Sequence, residues 1–208
     1  MKILVIGANG QIGRLFCQYA AEAGVPVCAM IRSPEQQSFF EALGVETVIA
    51  DLEGDFRHAI YGCDQVLFAA GSGPHTGLDK TLMIDLHGAI RAIDLAREIG
   101  VTRFMMISTL HTDPLEGPEK LRPYLAAKHA ADTHLIASTL PYVILRPGRL
   151  TDESASGRIA TSRDTASSDA ISRADVAKAA LSVIQRRDIK DRELVLLDGN
   201  EPLNDALC

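Results

Sequence analysis

The sequence of 208 residues predicts an α/β fold, a doubly wound and mainly parallel sheet with helices on both faces, in a single domain. Short aliphatic runs alternate with segments of helical periodicity along almost the whole chain. The strand-like runs are apolar throughout, which is typical of parallel strands that helices cover on both sides. No internal repeat or low-complexity linker interrupts this alternation, so we expect one domain over residues 1–208.

The predicted strands are short runs of apolar residues. They lie at Lys2–Ile6, Val25–Ile31, Glu46–Ala50, Gln65–Ala69, Arg103–Ile107, Tyr142–Leu145 and Glu193–Leu197. Thr151–Asp169 is rich in serine, threonine, aspartate and glycine, which predicts a loose loop with one short strand around Arg158–Thr161. We expect a small substrate-side segment around residues 148–172. Because only about sixty residues follow the sixth predicted strand, the chain has no room for a large substrate domain.

Segments of helical periodicity separate the predicted strands. They are Gln11–Ala23, Pro34–Leu43, Leu78–Ile99, Pro123–Thr139 and Arg173–Gln185, with a short turn near Asp55–Ile60. Gly24, Gly44 and Gly100 stand where left-handed C-caps would end three of these helices. Pro34 and Pro123 stand at first helical positions, where the missing N–H of proline costs no hydrogen bond.

The charge balance limits the classes of partner. The formal net charge is −6, whereas broad binding to nucleic acid or to an anionic membrane needs a basic surface. We therefore expect no nucleic-acid and no membrane partner, and a small-molecule substrate. Any phosphate group of a ligand must be bound locally. The pattern leaves monomer and homodimer open.

The cysteines and the first residues indicate the compartment. Cys17, Cys28, Cys63 and Cys208 are scattered singly, without the paired spacing of a metal site, so we expect reduced thiols and no metal. Met1 leads directly into a strand-like run, with no signal-peptide pattern, and no apolar run is long enough to span a membrane. These features predict a cytoplasmic protein.

The stretch GANGQIG predicts a phosphate-binding loop. It lies between the first strand and an amphipathic helix, which is the context that binds a dinucleotide. Gly7 allows a sharp turn, Gly10 a close approach of the backbone to a pyrophosphate, and Gly13 tight packing of the helix on the sheet. Further contacts are expected from the intervening residues, by backbone or side chain: Asn9, Gln11 and Ile12. The alternative is a turn without a ligand.

The end of the second strand favours NADP over NAD. NAD sites usually have an acidic residue there, which accepts a hydrogen bond from the ribose 2′-hydroxyl. This chain has Arg32 and Ser33 instead, a guanidinium and a hydroxyl that suit a 2′-phosphate. The alternative for Arg32 is a solvated loop residue.

Two more stretches should meet this ligand, because the carboxyl ends of parallel strands share one edge of the sheet. Asp51 and Leu52 follow the third strand, and a carboxylate there can accept from the adenine amino group. Ala69, Ala70 and Gly71 follow the fourth strand, where small residues let the cofactor pass close to the backbone. For Asp51, a loop-capping carboxylate is nearly as plausible as a ligand.

Eight motifs together carry a family resemblance. They are, in chain order, GANGQIGR, MIRSPEQ, ADL, FAAGSG, TRFMMIST, YLAAK, YVILRPGRL and ISRADVA. As a set they resemble the short-chain dehydrogenase/reductase superfamily, and within it the atypical NAD(P)-binding group that is similar to NmrA-like and biliverdin-reductase-B-like proteins. The resemblance spans almost the whole chain. It implies a Rossmann fold with NADP bound at the glycine loop.

The motif YLAAK predicts the chemistry. Tyr124 and Lys128 lie four residues apart on a predicted helix, so they share a face, and the ammonium is expected to lower the pKa of the phenol. The resemblance implies that such a tyrosine exchanges a proton with the substrate oxygen and that the lysine also binds the nicotinamide ribose. It also implies that a hydroxyl after the fifth strand, from Ser108 or Thr109, orients the carbonyl. The alternative is a chance spacing, with Tyr124 simply packed.

Residues after the fifth and sixth strands have weaker signals. The resemblance implies that Pro147 and Gly148 pass beside the nicotinamide. Arg149 can face an anionic substrate and His111 can line the pocket, although a solvated side chain is the more common role for each.

The sequence therefore predicts an NADPH-dependent oxidoreductase that transfers a hydride to a small carbonyl or quinone-like substrate. One alternative is a non-catalytic NADP(H)-binding sensor, because little of the chain is left for a substrate lobe. A less favoured alternative is an epimerase-like isomerase with bound NAD, which Arg32 and the short C-terminal region weaken.

Overall fold

The strands of the computed structural model, which describes residues 1–73 and 76–207, form one large sheet and one small sheet. The strands are β1 (Ile3–Ile6), β2 (Val27–Ile31), β3 (Glu46–Ile49), β4 (Gln65–Phe68), β5 (Arg103–Ile107), β6 (Tyr142–Pro147), β7 (Arg149–Thr151), β8 (Arg158–Ala160), β9 (Ala166–Ser168), β10 (Ala170–Ser172), β11 (Arg192–Gly199) and β12 (Glu201–Pro202). The small sheet consists of β7 and β10, which pair in parallel.

The large sheet has the order β3-β2-β1-β4-β5-β6-β11-β8-β12. Every pair from β3 to β11 is parallel, and β8, β9 and β12 are added in antiparallel pairs at the far end. The order reverses between β1 and β4, because β1, β2 and β3 extend to one side and β4, β5 and β6 to the other. Ligands of such sheets bind beyond the carboxyl ends of the strands at this reversal.

The helices are α1 (Gln11–Glu22), α2 (Gln37–Ala42), α3 (Arg57–Ile60), α4 (Leu78–Lys80), α5 (Ala89–Ile99), α6 (Arg122–Ala137), α7 (Arg173–Gln185) and α8 (Leu203–Ala206). Two apolar cores lie on the two faces of the large sheet. One contains Phe16 of α1 and Val183 of α7, and the other contains Ile93 of α5 and Leu135 of α6. These two cores confirm the predicted doubly wound α/β fold.

The predicted helix Leu78–Ile99 is interrupted. Between α4 and α5 the chain widens into a π-helix, Thr81–Gly88. This segment packs against α6, and its Asp85 is fully buried. A π-helix in the middle of an α-helix is rare and is frequently found at functional sites.

The predicted strands and caps need only small corrections. The sixth strand extends to Pro147 and the last one to Gly199. In the stretch predicted as a loose loop, β8 is the short strand expected around Arg158–Thr161, whereas β7, β9, β10, β12 and α8 were not predicted. Strands of two or three residues are too short to show a periodicity. Gly24, Gly44 and Gly100 have φ angles of +66°, +68° and +86°, as the predicted caps require.

A buried arginine joins β5 to the end of α7. The guanidinium of Arg103 donates hydrogen bonds to the carbonyls of Val183 (3.1 Å), Ile184 (2.6 Å), Arg186 (2.6 Å) and Ile189 (2.7 Å), and to Oε1 of Gln65 (2.9 Å). Only 4% of Arg103 is exposed. Several of these carbonyls have no partner within the helix, because they lie at its C-terminus.

Asp175 anchors the stretch that follows β7. Its backbone N–H donates to the Ser172 hydroxyl at 2.9 Å, which caps the N-terminus of α7. Its carboxylate accepts from the backbone N–H groups of Ser156 and Gly157, both at 2.9 Å. In the motif ISRADVA, Ser172 therefore caps α7 and Asp175 fixes the loop at Ser156 and Gly157.

Three of the cysteines, Cys17, Cys28 and Cys63, are free and buried, and Cys208 lies outside the described residues. Burial raises the pKa of the Cys17 thiol to about 12, so this thiol is unreactive at neutral pH. Across the part of the chain that the structure describes, no helix combines the length and hydropathy needed to cross a bilayer. The same residues contain no group of three metal-binding side chains.

Candidate functional site

A cavity of about 310 Å³ lies at the carboxyl ends of β1, β2, β3 and β4. It is the location that the reversal of strand order predicts. The predicted cofactor residues that line it are Gly7, Asn9, Gly10, Arg32, Asp51, Leu52, Ala69, Ala70 and Gly71. Side chains from the helix after β4, among them Lys80 and Ile84, complete the wall.

The glycine loop is too tightly packed for any side chain at two of its positions. Gly7 has a φ of +85°, and a Cβ there would lie 2.5 Å from the backbone nitrogen of Ala70. A Cβ on Gly13 would lie 2.3 Å from the carbonyl oxygen of Gly7. The end of β1 therefore packs against the residues after β4, and α1 packs against the loop itself, which leaves a cradle lined by backbone. Such a cradle at a helix N-terminus fits a pyrophosphate.

Arg14 is a cation beside this loop that the sequence reasoning missed. Its Nε and Nη2 donate to the Asn9 side-chain oxygen at 2.9 and 2.6 Å, and its guanidinium lies 4.6 Å from the centre of the Phe39 ring. The Asn9 amide thus holds Arg14 in place. The signal was the arginine directly after the last glycine of the motif, in GQIGR.

Gln11, Ile12 and Gly13 are not among the cavity-lining residues. The Gln11 amide nitrogen lies 3.5 Å from a carboxylate oxygen of Asp152, and Ile12 packs against the core. Gly10, the N-cap of α1, has no side chain to accept hydrogen bonds from the first turn. Any contribution of these residues to phosphate binding is therefore through backbone N–H groups.

Arg32 and Ser33 differ in their surroundings. The exposed Arg32 lines the cavity, and its backbone N–H donates to the Gln36 side chain at 2.9 Å. Its guanidinium forms no ion pair or hydrogen bond with residues 1–73 or 76–207. Ser33 does not line the cavity, and its hydroxyl, by hydrogen bonding, lowers the pKa of Glu35. Of the two, Arg32 is the group available to an anion.

Asp51 caps its own loop and also lines the cavity. One carboxylate oxygen accepts from the backbone N–H of Glu53 at 3.0 Å, which is a loop-capping contact. The residue nevertheless lines the cavity and is exposed. Glu53 also forms an ion pair with Lys80 at 2.6 Å, so the loop after β3 is tied to α4 across the cavity wall.

The predicted catalytic pair lies against the end of β5. The Lys128 ammonium donates to the carbonyl of Ile107 at 3.2 Å, lies 3.7 Å from Oδ1 of Asp85, and is 5.8 Å from the centre of the Tyr124 ring. Lys128 is 3% exposed. The second oxygen of Asp85 accepts from the backbone N–H of Ser72, a cavity residue, at 2.9 Å. Asp85 therefore connects the pair to the cavity wall.

The expectation for the Tyr124 pKa is wrong. The proximity of Lys128 does lower the pKa of the phenol, but burial raises it more, and the carboxylates of Asp85 and Asp132 raise it further. The net shift is upward from the ordinary value of about 10. The spacing in the sequence identified Lys128 as a group that lowers the pKa of Tyr124, but it contained no information on the burial of Tyr124. Tyr124 is therefore protonated at neutral pH.

The two predicted hydroxyls after β5 are held differently. Ser108 is buried, and its hydroxyl donates to Oδ2 of Asp132 at 2.7 Å. Thr109 is half-buried, and its backbone carbonyl accepts from Arg146 at 3.3 Å. Asp85 and Asp132 were both missed by the sequence reasoning. The available signal was a lone acidic residue in an apolar helical stretch, such as TLMIDLHGAI.

The residues after β6 are set apart from the cavity. Pro147 and Gly148 do not line it, and the Gly148 N–H donates to the carbonyl of Leu196 at 3.0 Å. A Cβ on Gly148 would lie 2.4 Å from the Asp169 carbonyl oxygen, so this glycine is needed for packing. Arg149 is exposed, and His111 contacts the guanidinium of Arg163.

Comparisons with known proteins agree with this geometry. Residues 7–187 match the family described as NAD(P)H-binding. A protein of Bacillus subtilis (strain 168) that bears the name uncharacterized sugar epimerase YhfK is 42% identical over 212 residues, with coverage of 100% of this chain and 99% of that protein. The solved structure of a Bacillus halodurans protein, named as a candidate NAD-dependent epimerase/dehydratase, is 39% identical with a TM-score of 0.94, covering 100% of this chain and 98% of the other.

A more distant structure is the Citrobacter sp. triphenylmethane reductase, solved in complex with NADP(H). It is 24% identical with a TM-score of 0.73, and the match covers 95% of this chain and 70% of that one. At this identity the likeness is one of fold. Together with the family match, it confirms the predicted Rossmann fold, and the family match confirms a nicotinamide dinucleotide as the class of ligand.

Proposed function

Because this chain belongs to the NAD(P)H-binding family, in the atypical short-chain dehydrogenase/reductase group, we propose that it is an NADPH-dependent reductase of a small carbonyl or quinone-like substrate. The observation that carries the proposal is the position of Lys128, between the Tyr124 ring and the buried Asp85. Asp85 in turn binds Ser72 of the cavity wall. A half-buried phenol beside a buried ammonium, next to a cavity that suits a dinucleotide, is suited to proton transfer.

The cavity residues would hold the cofactor in the following way. The backbone of the glycine loop takes the pyrophosphate, Arg32 the 2′-phosphate, and Asp51 the adenine amino group. Ala69, Ala70 and Gly71 leave space for the cofactor to pass along the end of β4. When bound, NADPH supplies the hydride. The preference for NADPH over NADH in this proposal rests on Arg32, whose side chain is exposed at the cavity.

The residues of the chain supply the proton and the orientation of the substrate. Tyr124, protonated at neutral pH, donates its proton to the substrate oxygen as negative charge develops there. Lys128 stabilises the phenolate that remains, because its ammonium is held on the face of the ring. A hydroxyl at the end of β5 orients the carbonyl.

The proposed activity is tested by incubating the protein with NADPH and a panel of small aldehydes, ketones and quinones. We expect loss of reduced nicotinamide with at least one compound and formation of the corresponding alcohol or hydroquinone. Tight binding of NADPH together with no turnover across the panel would contradict the proposal and favour the sensor alternative.

Arg32 is expected to determine the choice between the two dinucleotides. Its replacement by alanine should weaken NADPH binding about 10–100-fold, the equivalent of one lost charge-assisted hydrogen-bonded contact, and leave NADH binding within about twofold. Titration of nicotinamide fluorescence measures both. Arg187→Ala removes the same charge from an exposed position outside the cavity and should change neither affinity. Equal losses for NADPH and NADH would rule out a contact with the 2′-phosphate.

A second candidate function is an epimerase that uses its dinucleotide transiently. The observation that favours it is the epimerase name of the Bacillus subtilis and Bacillus halodurans proteins. Such an enzyme retains oxidised NAD through its cycle and shows no net consumption of reduced cofactor. Mass spectrometry of the dinucleotide that copurifies with the protein distinguishes the two candidates. NAD bound in stoichiometric amount would favour the epimerase, whereas NADP(H) would favour the reductase.

A further inference from the structure

The network behind Ser108 is not used by the proposed reaction. Its central group is Asp132, one helical turn after Lys128 on α6, and 2% exposed. Oδ2 of Asp132 accepts a hydrogen bond from the Ser108 hydroxyl at 2.7 Å and lies 3.0 Å from Nη1 of Arg146. This oxygen therefore joins α6 to the ends of both β5 and β6.

Arg146 extends the same network to the backbone. Its Nη1 also donates to the Thr109 carbonyl at 3.3 Å, and its Nε donates to Glu193 on β11 at 2.6 Å. The segment after β5 that contains Ser108 and Thr109 is thus fixed by both Asp132 and Arg146. Ser108 is held through its side chain, and Thr109 through its carbonyl.

The hydrogen bond of Ser108 has a defined direction. The Arg146 guanidinium at 3.0 Å favours the ionised form of Asp132, and a carboxylate has no proton to donate, so the serine hydroxyl is the donor. Hydrogen bonds to an ionised acceptor are roughly twice as strong as neutral ones, so a neutral substrate carbonyl cannot compete for this proton. A ligand that reaches Ser108 meets only oxygen lone pairs.

The other carboxylate oxygen of Asp132 has no hydrogen-bond partner among the described residues. Leaving a buried acceptor unpaired is costly, so the contacts of the other oxygen must compensate the burial of this carboxylate. The ion pair with Arg146 and the hydrogen bond from Ser108 are the two interactions that compensate an acidic residue here. The Ser108 contact is the one that fixes a side chain beside the candidate catalytic pair.

We infer that Asp132 is a positioning residue, which holds the Ser108 hydroxyl proton toward its own carboxylate. Ser108 then accepts hydrogen bonds from the ligand, and Thr109 and Tyr124 donate to the substrate carbonyl. The inference rests on the proposed reductase function. It also specifies the substrate class further, because the substrate or cofactor group opposite Ser108 must be a hydrogen-bond donor, such as a hydroxyl or an amide N–H.

The test combines Asp132→Asn, Ser108→Ala and the double variant, with Asp94→Asn as the matched control. Asp94 is a partly exposed acid on α5 that pairs with His134 and Arg97. The first measurement is the denaturant midpoint of unfolding, which does not depend on activity. We expect non-additive shifts, because once Ser108 is alanine the Asp132→Asn change has no serine contact left to lose. Additive shifts would overturn the inference, whatever the protein catalyses.

The second measurement is steady-state reduction of a carbonyl that the wild-type protein turns over. We expect Asp132→Asn to lower kcat about 10–100-fold, the equivalent of one hydrogen bond to a charged group, with KM and NADPH affinity within about twofold. Asp94→Asn should retain the wild-type kcat. An unchanged kcat in Asp132→Asn would also overturn the inference.

Two further outcomes stay informative. If the wild-type protein reduces no carbonyl, the proposed function fails, and the midpoints alone decide whether Asp132 holds Ser108. If Asp132→Asn does not fold, Ser108→Thr takes its place beside Ser108→Ala. Threonine keeps a hydroxyl donor for Asp132, so it should restore the midpoint and most of the kcat that alanine loses. Equal values for the threonine and alanine variants would overturn the inference.

Discussion

Replacing Tyr124 by phenylalanine is expected to lower kcat for carbonyl reduction about 10²–10⁴-fold, the usual contribution of general acid catalysis. The substitution removes one hydroxyl and leaves the ring, so the packing beside Lys128 is kept. Tyr124 does not line the cavity at the ends of β1, β2, β3 and β4. The affinity for NADPH should therefore stay within about twofold, because phosphate and adenine contacts dominate it.

The measurement is steady-state turnover beside an NADPH titration, with Tyr61→Phe as the control. Tyr61 is 58% exposed and lies outside the cavity, so its replacement should change neither value. Because burial raises the pKa of Tyr124 above its ordinary value of about 10, the phenol keeps its proton through the neutral and mildly alkaline range. The reductive rate of the wild-type protein should not fall there through loss of this proton. A Tyr124→Phe variant with wild-type kcat would show that another group donates the proton.

Replacing Arg103 by methionine is expected to lower the free energy of unfolding by about 3–5 kcal/mol. Methionine fills much of the same space but donates no hydrogen bond. The substitution leaves several carbonyls at the end of α7, and the Gln65 side chain, without the donor that satisfies them. Each buried acceptor that loses its partner costs about 1–3 kcal/mol, and partial solvation of the helix end reduces the sum.

Denaturant unfolding followed by far-ultraviolet circular dichroism measures this loss. Arg97→Met is the matched control, because Arg97 is on the surface and its ion pair with Asp94 spans 3.7 Å between partly exposed side chains. Exposed pairs of this kind contribute about 0–1 kcal/mol, so the control should change little. A loss below about 1 kcal/mol for Arg103→Met would show that water replaces the guanidinium at the end of α7.

The parts of the fold and site that the sequence predicts are those with local causes. Gly7 and Gly13 could be predicted because a turn out of a strand and a helix packed against it require glycine at fixed spacing. Arg32 and Asp51 followed from the rule that the carboxyl ends of parallel strands meet. Both line the cavity.

The parts that could not be predicted depend on contacts between distant segments. Asp85 meets Lys128 across 43 positions of the sequence, and only the packing of the π-helix on α6 brings them together. Asp132 meets Ser108 in the same way. The expected pKa of Tyr124 was wrong for the same reason, because burial is a property of the folded chain. The short strands around residues 149–172 lack any period that a sequence pattern can show.

The π-helix Thr81–Gly88 makes the candidate site sensitive to the loss of a single codon from this segment. The segment supplies Ile84 to the cavity wall and, at the next position, buries Asp85 against Lys128. Deleting one residue from it would rotate the preceding turn by about 100° relative to α5, since an α-helix has 3.6 residues per turn. Ile84 in the cavity wall and the Asp85 carboxylate would both be displaced relative to α6. A single-codon deletion here would therefore disturb the cavity and the Asp85–Lys128 pair together, because adjacent residues of one helix serve both.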